Sequence, residues 1–267
     1  ENINCDIAII GGELTGVITA YYLAGAGVSC ALLAPQIIGS GMDCSGILDC
    51  GAKQLSLLKH SVGIESAAKV YQQCQTALDE LLKLSEMIPD TCDLSRRDSF
   101  YYTDRPEEKD AIREIYLAAK YNQLPVELID KQEATDLFSF PVELGILSKQ
   151  TACELDPYHF CQSMAIEDKN AGVMIYENTP IAELEPTEDS VLLTTSLSKT
   201  IRAKKVIITT GESSFVQPRM LINKKMHVVV SAPVPEFSGW PQRCILSKYK
   251  DSSTLRTTCD NRILLSD

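Results

Sequence analysis

The chain has little histidine and no closely paired cysteines. Only three histidines occur in 267 residues, and the ten cysteines are scattered without a C-x-x-C pair. Structural zinc and iron–sulfur sites draw on clustered Cys and His, so we expect no metal site. Because free cysteine is commonly buried as a small apolar residue, we interpret the cysteines as reduced, with disulfides as the minority alternative.

Basic clusters and long apolar runs are also missing. The 25 basic and 36 acidic residues give a net charge of −11, which argues against a nucleic-acid partner. No apolar run reaches the roughly 18 residues that span a bilayer. No basic region precedes the first apolar segment. The sequence therefore indicates a cytoplasmic protein without a membrane anchor.

What is present at the N-terminus is the pattern of a strand, a turn, a helix and a second strand. Residues 5–10 form an apolar run that ends at Gly11-Gly12, and apolar residues from Leu14 onward recur with helical spacing. Residues 28–33 then have the composition of a buried strand. This βαβ unit predicts a doubly wound α/β fold with a parallel sheet.

Further segments extend this prediction along the chain. We expect one sheet to contain, as neighbouring strands, residues 7–10, 31–33, 173–175 and 206–208. A second βαβ passage is predicted from the strand 144–148 through the helix 157–168 to the strand 173–176. Near the C-terminus, a separate antiparallel sheet is predicted from residues 227–232, 243–247 and 254–265.

The turn after the first strand has the composition of a dinucleotide-binding loop. It reads Gly11-Gly12-Glu13-Leu14-Thr15-Gly16, so its backbone amides and the helix N-terminus can face a pyrophosphate. Glu13 replaces the second glycine of G-x-G-x-x-G. A carboxylate about 4 Å from a phosphate costs on the order of 4 kcal/mol unless the side chain rotates away. The acid expected at the end of the second strand, for the ribose hydroxyls, is Ala34.

Several stretches, in order, carry a resemblance to a known family. They are residues 6–23, 39–46, 155–181, 206–211 and 255–264. Together they resemble the D-amino-acid oxidase superfamily of FAD-dependent oxidoreductases, the group with glycine oxidase and sarcosine oxidase. The resemblance implies FAD as cofactor, and Glu13 and Ala34 lead us to expect weak or absent binding.

The resemblance also implies which positions face the cofactor. Residues 39–46 match a Ser/Gly loop that wraps the pyrophosphate, and the position of Ile181 contacts adenine through its backbone. The implied FAD-binding positions are Gly11, Gly12, Glu13, Thr15, Gly16, Ala34, Gly39, Ser40, Gly41, Ser45, Ile181, Thr209, Thr210 and Gly211.

The family's domain organisation predicts two discontinuous parts. The FAD-binding domain is expected at residues 1–92 and 141–216, and an incomplete substrate domain at 93–140 and 217–267. The family continues into a glycine-containing segment that closes over the flavin, whereas this sequence stops at Asp267. We therefore expect either a fragment or a protein without that closure.

The resemblance implies oxidation of a primary or secondary amine or an amino acid, with hydride passing to the flavin. No catalytic residue is assigned, and the spacing of the three histidines suggests no shared catalytic site. Arg256 is the candidate for binding a substrate carboxylate, and the alternative is an arginine paired with an acid on the sheet surface. Two other functions stay open: a degenerate member that acts as a binding or scaffold protein without flavin, and, less favoured, an NAD-dependent dehydrogenase.

Overall fold

The computed structural model describes residues 3–40, 45–210 and 227–267. The α-helices among them are α1 (Leu14–Gly25), α2 (Ala52–Val62), α3 (Ile64–Ser85), α4 (Lys109–Tyr121), α5 (Lys131–Leu137) and α6 (Pro157–Asn170). The first seven strands are β1 (Ile3–Ile10), β2 (Cys30–Leu33), β3 (Ile47–Asp49), β4 (Ser95–Thr103), β5 (Val126–Asp130), β6 (Leu144–Glu154) and β7 (Met174–Tyr176). The others are β8 (Ile181–Pro186), β9 (Val191–Thr195), β10 (Thr200–Ile208), β11 (Val228–Val230), β12 (Cys244–Lys248), β13 (Thr254–Thr257) and β14 (Ile263–Ser266).

The described residues form two compact units. The first unit contains residues 3–40, 85–92 and 156–210, and the second contains 45–84, 93–155 and 227–267. Residues 45–84 and 141–155 were predicted to belong to the FAD-binding domain. The structure places them in the second unit. The reason is strand pairing, because β3 and β6 pair with each other and β6 pairs with β4.

The sheet of the first unit has the order β7-β2-β1-β10-β9-β8. β7, β2, β1 and β10 are mutually parallel, and β9 and β8 continue the sheet antiparallel. The four segments predicted to be neighbouring strands are therefore neighbours, which confirms the doubly wound α/β fold. β10 is longer than the predicted segment 206–208 and runs from Thr200 to Ile208. The buried core of this sheet includes Ala8, Leu33 and Ile201.

The sheet of the second unit has the order β11-β14-β13-β12-β4-β6-β3, and β5 also pairs with β6. The predicted antiparallel sheet near the C-terminus is confirmed by the pairs β11–β14, β13–β14 and β12–β13. The second predicted βαβ passage is wrong. β6 pairs antiparallel with β4 in this sheet, whereas β7 lies in the sheet of the first unit.

Helix α6 shows how local sequence sets an element boundary. Asp156 precedes the helix, and its carboxylate accepts a hydrogen bond of 2.9 Å from the backbone N–H of His159. Pro157 occupies the first turn, where a missing N–H carries no penalty. Among the described residues, no helix is long and apolar enough to cross a membrane.

Candidate cofactor site

The candidate site lies at the carboxyl ends of the parallel strands in the first unit. β1 ends at Ile10, and the turn Gly11-Gly12-Glu13 leads into α1. Because β1, β2, β7 and β10 are parallel, the segments that follow them meet at the same edge of the sheet. Ligands of open α/β sheets bind at such an edge.

Gly11 and Gly16 allow the turn to pack without side chains. Gly11 has a φ of +124°, and a Cβ atom there would lie 2.4 Å from Oγ1 of Thr209. A Cβ atom on Gly16 would lie 1.9 Å from the carbonyl oxygen of Gly11. Neither distance is physically possible, so the turn and the first turn of α1 require glycine at both positions.

Gly12 packs against the end of β2. A Cβ atom on Gly12 would lie 2.6 Å from Cβ of Ala34 and 3.0 Å from Cγ1 of Ile38. Ala34 is 1% exposed, its N–H donates to the carbonyl oxygen of Tyr176, and its carbonyl oxygen accepts from Thr179. The side chain at the expected ribose-binding position is therefore a small packing group.

Glu13 and Thr15 are less buried than the three glycines of the turn. Glu13 is half-buried, has an extended backbone, and its side chain makes no capping hydrogen bond to α1. Thr15 is exposed, and its carbonyl oxygen accepts a bond of 2.6 Å from Oγ1 of Thr19. The first amides of a helix have no intrahelical acceptor, so an uncapped N-terminus can donate to an anion.

The loop after β2 is fixed by contacts that the sequence did not predict. The Gly39 N–H donates to the carbonyl oxygen of Gly12 over 2.9 Å, which ties the loop to the glycine turn. The amide of Gln162 donates to the carbonyl oxygen of Ile38 over 2.6 Å. Oε1 of Glu177 accepts from the Ile38 N–H over 2.8 Å. Ser40 is exposed, and its hydroxyl donates to the carbonyl oxygen of Ile37.

The end of β10 supplies two hydroxyl groups with different environments. Oγ1 of Thr209 donates to the carbonyl oxygen of Ile10 over 3.0 Å, so its hydrogen is already bonded to the backbone at the end of β1. Oγ1 of Thr210 is buried and has no hydrogen-bond partner in the part of the chain that the structure describes. A buried hydroxyl without a partner is costly, and a bound ligand would supply one.

The remaining predicted cofactor positions lie in other parts of the chain. Ile181 begins β8, where it is half-buried and pairs with Thr195. Ser45 belongs to the second unit, and its carbonyl oxygen accepts a bond of 2.9 Å from Arg256. Gly41 and Gly211 lie outside the described residues. Their cofactor roles stay predictions.

Arg256 lies in a buried ion cluster of the second unit. It is 5% exposed and hydrogen-bonds through Nη1 to Oε1 of Glu154, which is also 5% exposed. Nε of Arg97 donates to the other oxygen, Oε2, over 2.7 Å. Burial lowers the pKa of Arg256, and the Glu154 charge opposes this shift. Nε of Arg256 is buried without a partner among the described residues. Its role toward a substrate carboxylate stays a prediction.

No cluster of His, Cys, Asp and Glu in the described ranges 3–40, 45–210 and 227–267 has the arrangement of a metal site. His159 pairs with Asp156, with 3.1 Å between Nδ1 and Oδ2, beside the start of α6. The nine cysteines within these ranges are free thiols.

The comparison with protein families shows the family to which the chain belongs. A model of the DAO family, described as FAD-dependent oxidoreductases, matches residues 6–267. The chain belongs to the DAO family. The predicted resemblance is thereby confirmed, and the glycine turn described above lies within the matched residues.

One curated relative and several solved structures are also similar to this chain. A Bacillus subtilis (strain 168) protein, YhfW, named as a Rieske 2Fe-2S iron-sulfur protein, is 22% identical over 98% of this chain and 51% of its own length. The chain therefore spans about half the length of the curated relative it matches. The L-proline dehydrogenase from P. horikoshii is 16% identical, with a TM-score of 0.76 over 99% of this chain and 70% of that one. Glycine oxidase from Geobacillus kaustophilus is 21% identical, with a TM-score of 0.73 over 100% and 72%.

A third similar structure was determined with the cofactor present. The L-alpha-glycerophosphate oxidase from Mycoplasma pneumoniae, with FAD bound, has a TM-score of 0.75 at 14% identity, over 98% of this chain and 71% of that one. In the family, the cofactor is FAD. In this chain, the uncapped helix start and the buried Thr210 hydroxyl fit such a ligand, whereas Ala34 supplies no carboxylate for the ribose.

Proposed function

We propose that this chain binds FAD at the glycine turn of the first unit and contributes to the oxidation of a small amine or amino acid. The observation that carries the proposal is the turn itself, in which Gly11 and Gly16 carry no side chain and let β1, α1 and the end of β10 pack closely, although Glu13 stands where dinucleotide sites have their second glycine. Backbone amides at the start of α1 would bind the pyrophosphate, and the Thr210 hydroxyl would donate to the cofactor.

FAD, when bound, supplies the hydride acceptor, so the protein needs only to hold the cofactor, orient the substrate and limit water. The glycine oxidase and L-proline dehydrogenase among the similar structures support an amine or amino acid as the substrate class. If the substrate carries a carboxylate, Arg256 is the proposed partner, and Glu154 would have to share the guanidinium with it.

The test has two stages. The purified chain is incubated with FAD, desalted, and its visible absorption is measured, with riboflavin as a control that lacks the pyrophosphate. We expect more flavin absorption to be retained with FAD than with riboflavin, with the amount of FAD limited by the Glu13 carboxylate. The loaded protein is then mixed anaerobically with amines and amino acids, and bleaching of the flavin band identifies a substrate. Failure to retain FAD at micromolar concentration contradicts the proposal.

A further inference from the structure

We infer that Glu177 is the carboxylate that binds the ribose hydroxyls in the adenosine half of FAD, in place of the acid that β2 lacks. The inference rests on the proposed function and names a residue of that site. It follows from the strand register at the edge of the sheet, from the position of the Glu177 side chain, and from the packing around Ala34.

The strand register places Glu177 beside Ala34. β2 and β7 are parallel neighbours, with Leu33 opposite Tyr176, and the Ala34 N–H donates to the carbonyl oxygen of Tyr176 over 2.9 Å. Glu177 is the first residue after β7, so it follows its strand at the level where Ala34 follows β2. The carboxylate that dinucleotide sites place at the end of the second strand is thus present one strand away.

A hydrogen bond holds this carboxylate toward the loop after β2. Oε1 of Glu177 accepts the Ile38 N–H over 2.8 Å, and the residue is exposed to solvent. A carboxylate has about four lone-pair sites on its two oxygens, so one backbone donor leaves capacity for the two hydroxyls of a ribose. Holding the group in place before binding reduces the entropy lost when the ligand arrives.

The packing explains why the acid is absent from position 34. Ala34 is 1% exposed, and its Cβ fills the space beside Gly12, where Ile38 also lies. A longer side chain at position 34 would have to displace these neighbours. Glu177 reaches the same loop from the adjacent strand without entering this packed space.

The test uses FAD and two analogues that lack the 2′- or the 3′-hydroxyl of the adenosine ribose. Binding is followed by quenching of flavin fluorescence in the wild type, Glu177→Gln and a control, Glu185→Gln, in which an exposed acid on β8 of the same unit is neutralised. We expect the wild type and the control to prefer FAD over at least one analogue by about 10- to 100-fold. Glu177→Gln should bind FAD correspondingly more weakly and show no preference.

The comparison of ligands within one protein separates ribose recognition from a change in the loop. If Glu177 serves only to accept the hydrogen bond from the Ile38 N–H, Glu177→Gln should weaken the binding of all three ligands equally and keep the preference for FAD. That result overturns the inference and leaves the proposed function intact. A wild type that binds FAD but does not discriminate overturns the inference as well. No binding of FAD by the wild type overturns the proposed function and the inference with it. If Glu177→Gln does not fold, Glu177→Asp, which keeps the charge on a shorter side chain, should show a reduced preference.

Discussion

The glycine turn of the first unit and the ion cluster of the second unit are two contrasting ways to build a tightly packed site. In the turn, Gly11 and Gly16 contribute no side chain, and backbone contacts backbone. In the cluster, Arg256, Glu154 and Arg97 bury charged side chains against one another. An added side chain should therefore destabilise the glycine turn, whereas the loss of one charge should destabilise the ion cluster.

The largest effect is expected from adding a side chain to the turn. Gly16→Ala should destabilise the protein by about 4 kcal/mol or more, and Gly16→Leu by at least as much, because the new Cβ would overlap the Gly11 carbonyl. The measurement is thermal or urea unfolding. Gly25→Ala is the matched control on the same helix, since a Cβ there meets nothing within 4 Å, and it should stabilise by up to about 1 kcal/mol. Equal melting temperatures for the Gly16 variants and the wild type would contradict the packing.

The second largest effect is expected from removing the shared acid of the ion cluster. Glu154→Gln leaves the buried Arg256 without its counter-charge, which should destabilise the second unit by about 3 to 5 kcal/mol. Glu127→Gln is the control, because its partner Lys149 is a surface lysine and both side chains are about half exposed. That change should cost less than about 1 kcal/mol. Similar urea midpoints for the two variants would show that the cluster is hydrated.

The two regions differ in how far the sequence predicts them. The turn depends on six consecutive residues, so the βαβ unit and the neighbouring strands could be predicted from local patterns. The cluster joins residues far apart in sequence, and nothing near Arg256 indicates Glu154 as its partner. β6 was placed in the wrong sheet for the same reason, because its composition does not reveal that it pairs with β4. Glu177 was within reach of prediction, since β2 and β7 were expected to be neighbours.

A smaller effect, on cofactor binding, is expected at Glu13. Replacing it with glycine restores the turn of dinucleotide sites and removes a carboxylate from the helix start that would face the pyrophosphate. Glu13→Gly should raise the affinity for FAD by about 10- to 1000-fold, which corresponds to about 1.4 to 4 kcal/mol. Glu13→Gln keeps the size and removes the charge, so the two variants separate repulsion from crowding in a flavin-fluorescence titration. Equal affinity in all three proteins would show that the side chain turns away from the ligand.

The smallest effect concerns Asp168, a buried acid of the first unit. It is 0% exposed, neither carboxyl oxygen has a partner among the described residues, and burial, aided by the Glu167 charge, raises its pKa from 3.8 to about 7. In the unfolded chain the group ionises near pH 4, whereas in the folded chain it keeps its proton until about pH 7. The folded state binds more protons in this window, so stability falls as pH rises from about 4 to 7 and is constant above that.

Asp168→Asn should remove this pH dependence and stabilise the protein at pH 8 by about 1 to 3 kcal/mol, because the buried amide never ionises. Part of this gain in stability is lost, because the buried amide of the asparagine also lacks hydrogen-bond partners. Urea unfolding at pH 4.5 and pH 8 measures the effect, and Asp189→Asn, an exposed aspartate of the same unit, is the control that should change neither value. If Asp168→Asn and the wild type lose stability equally between these pH values, the carboxyl is already ionised in the folded state. It would then resemble Glu154, whose charge is balanced by two arginines, and a cation or water would have to lie beside it.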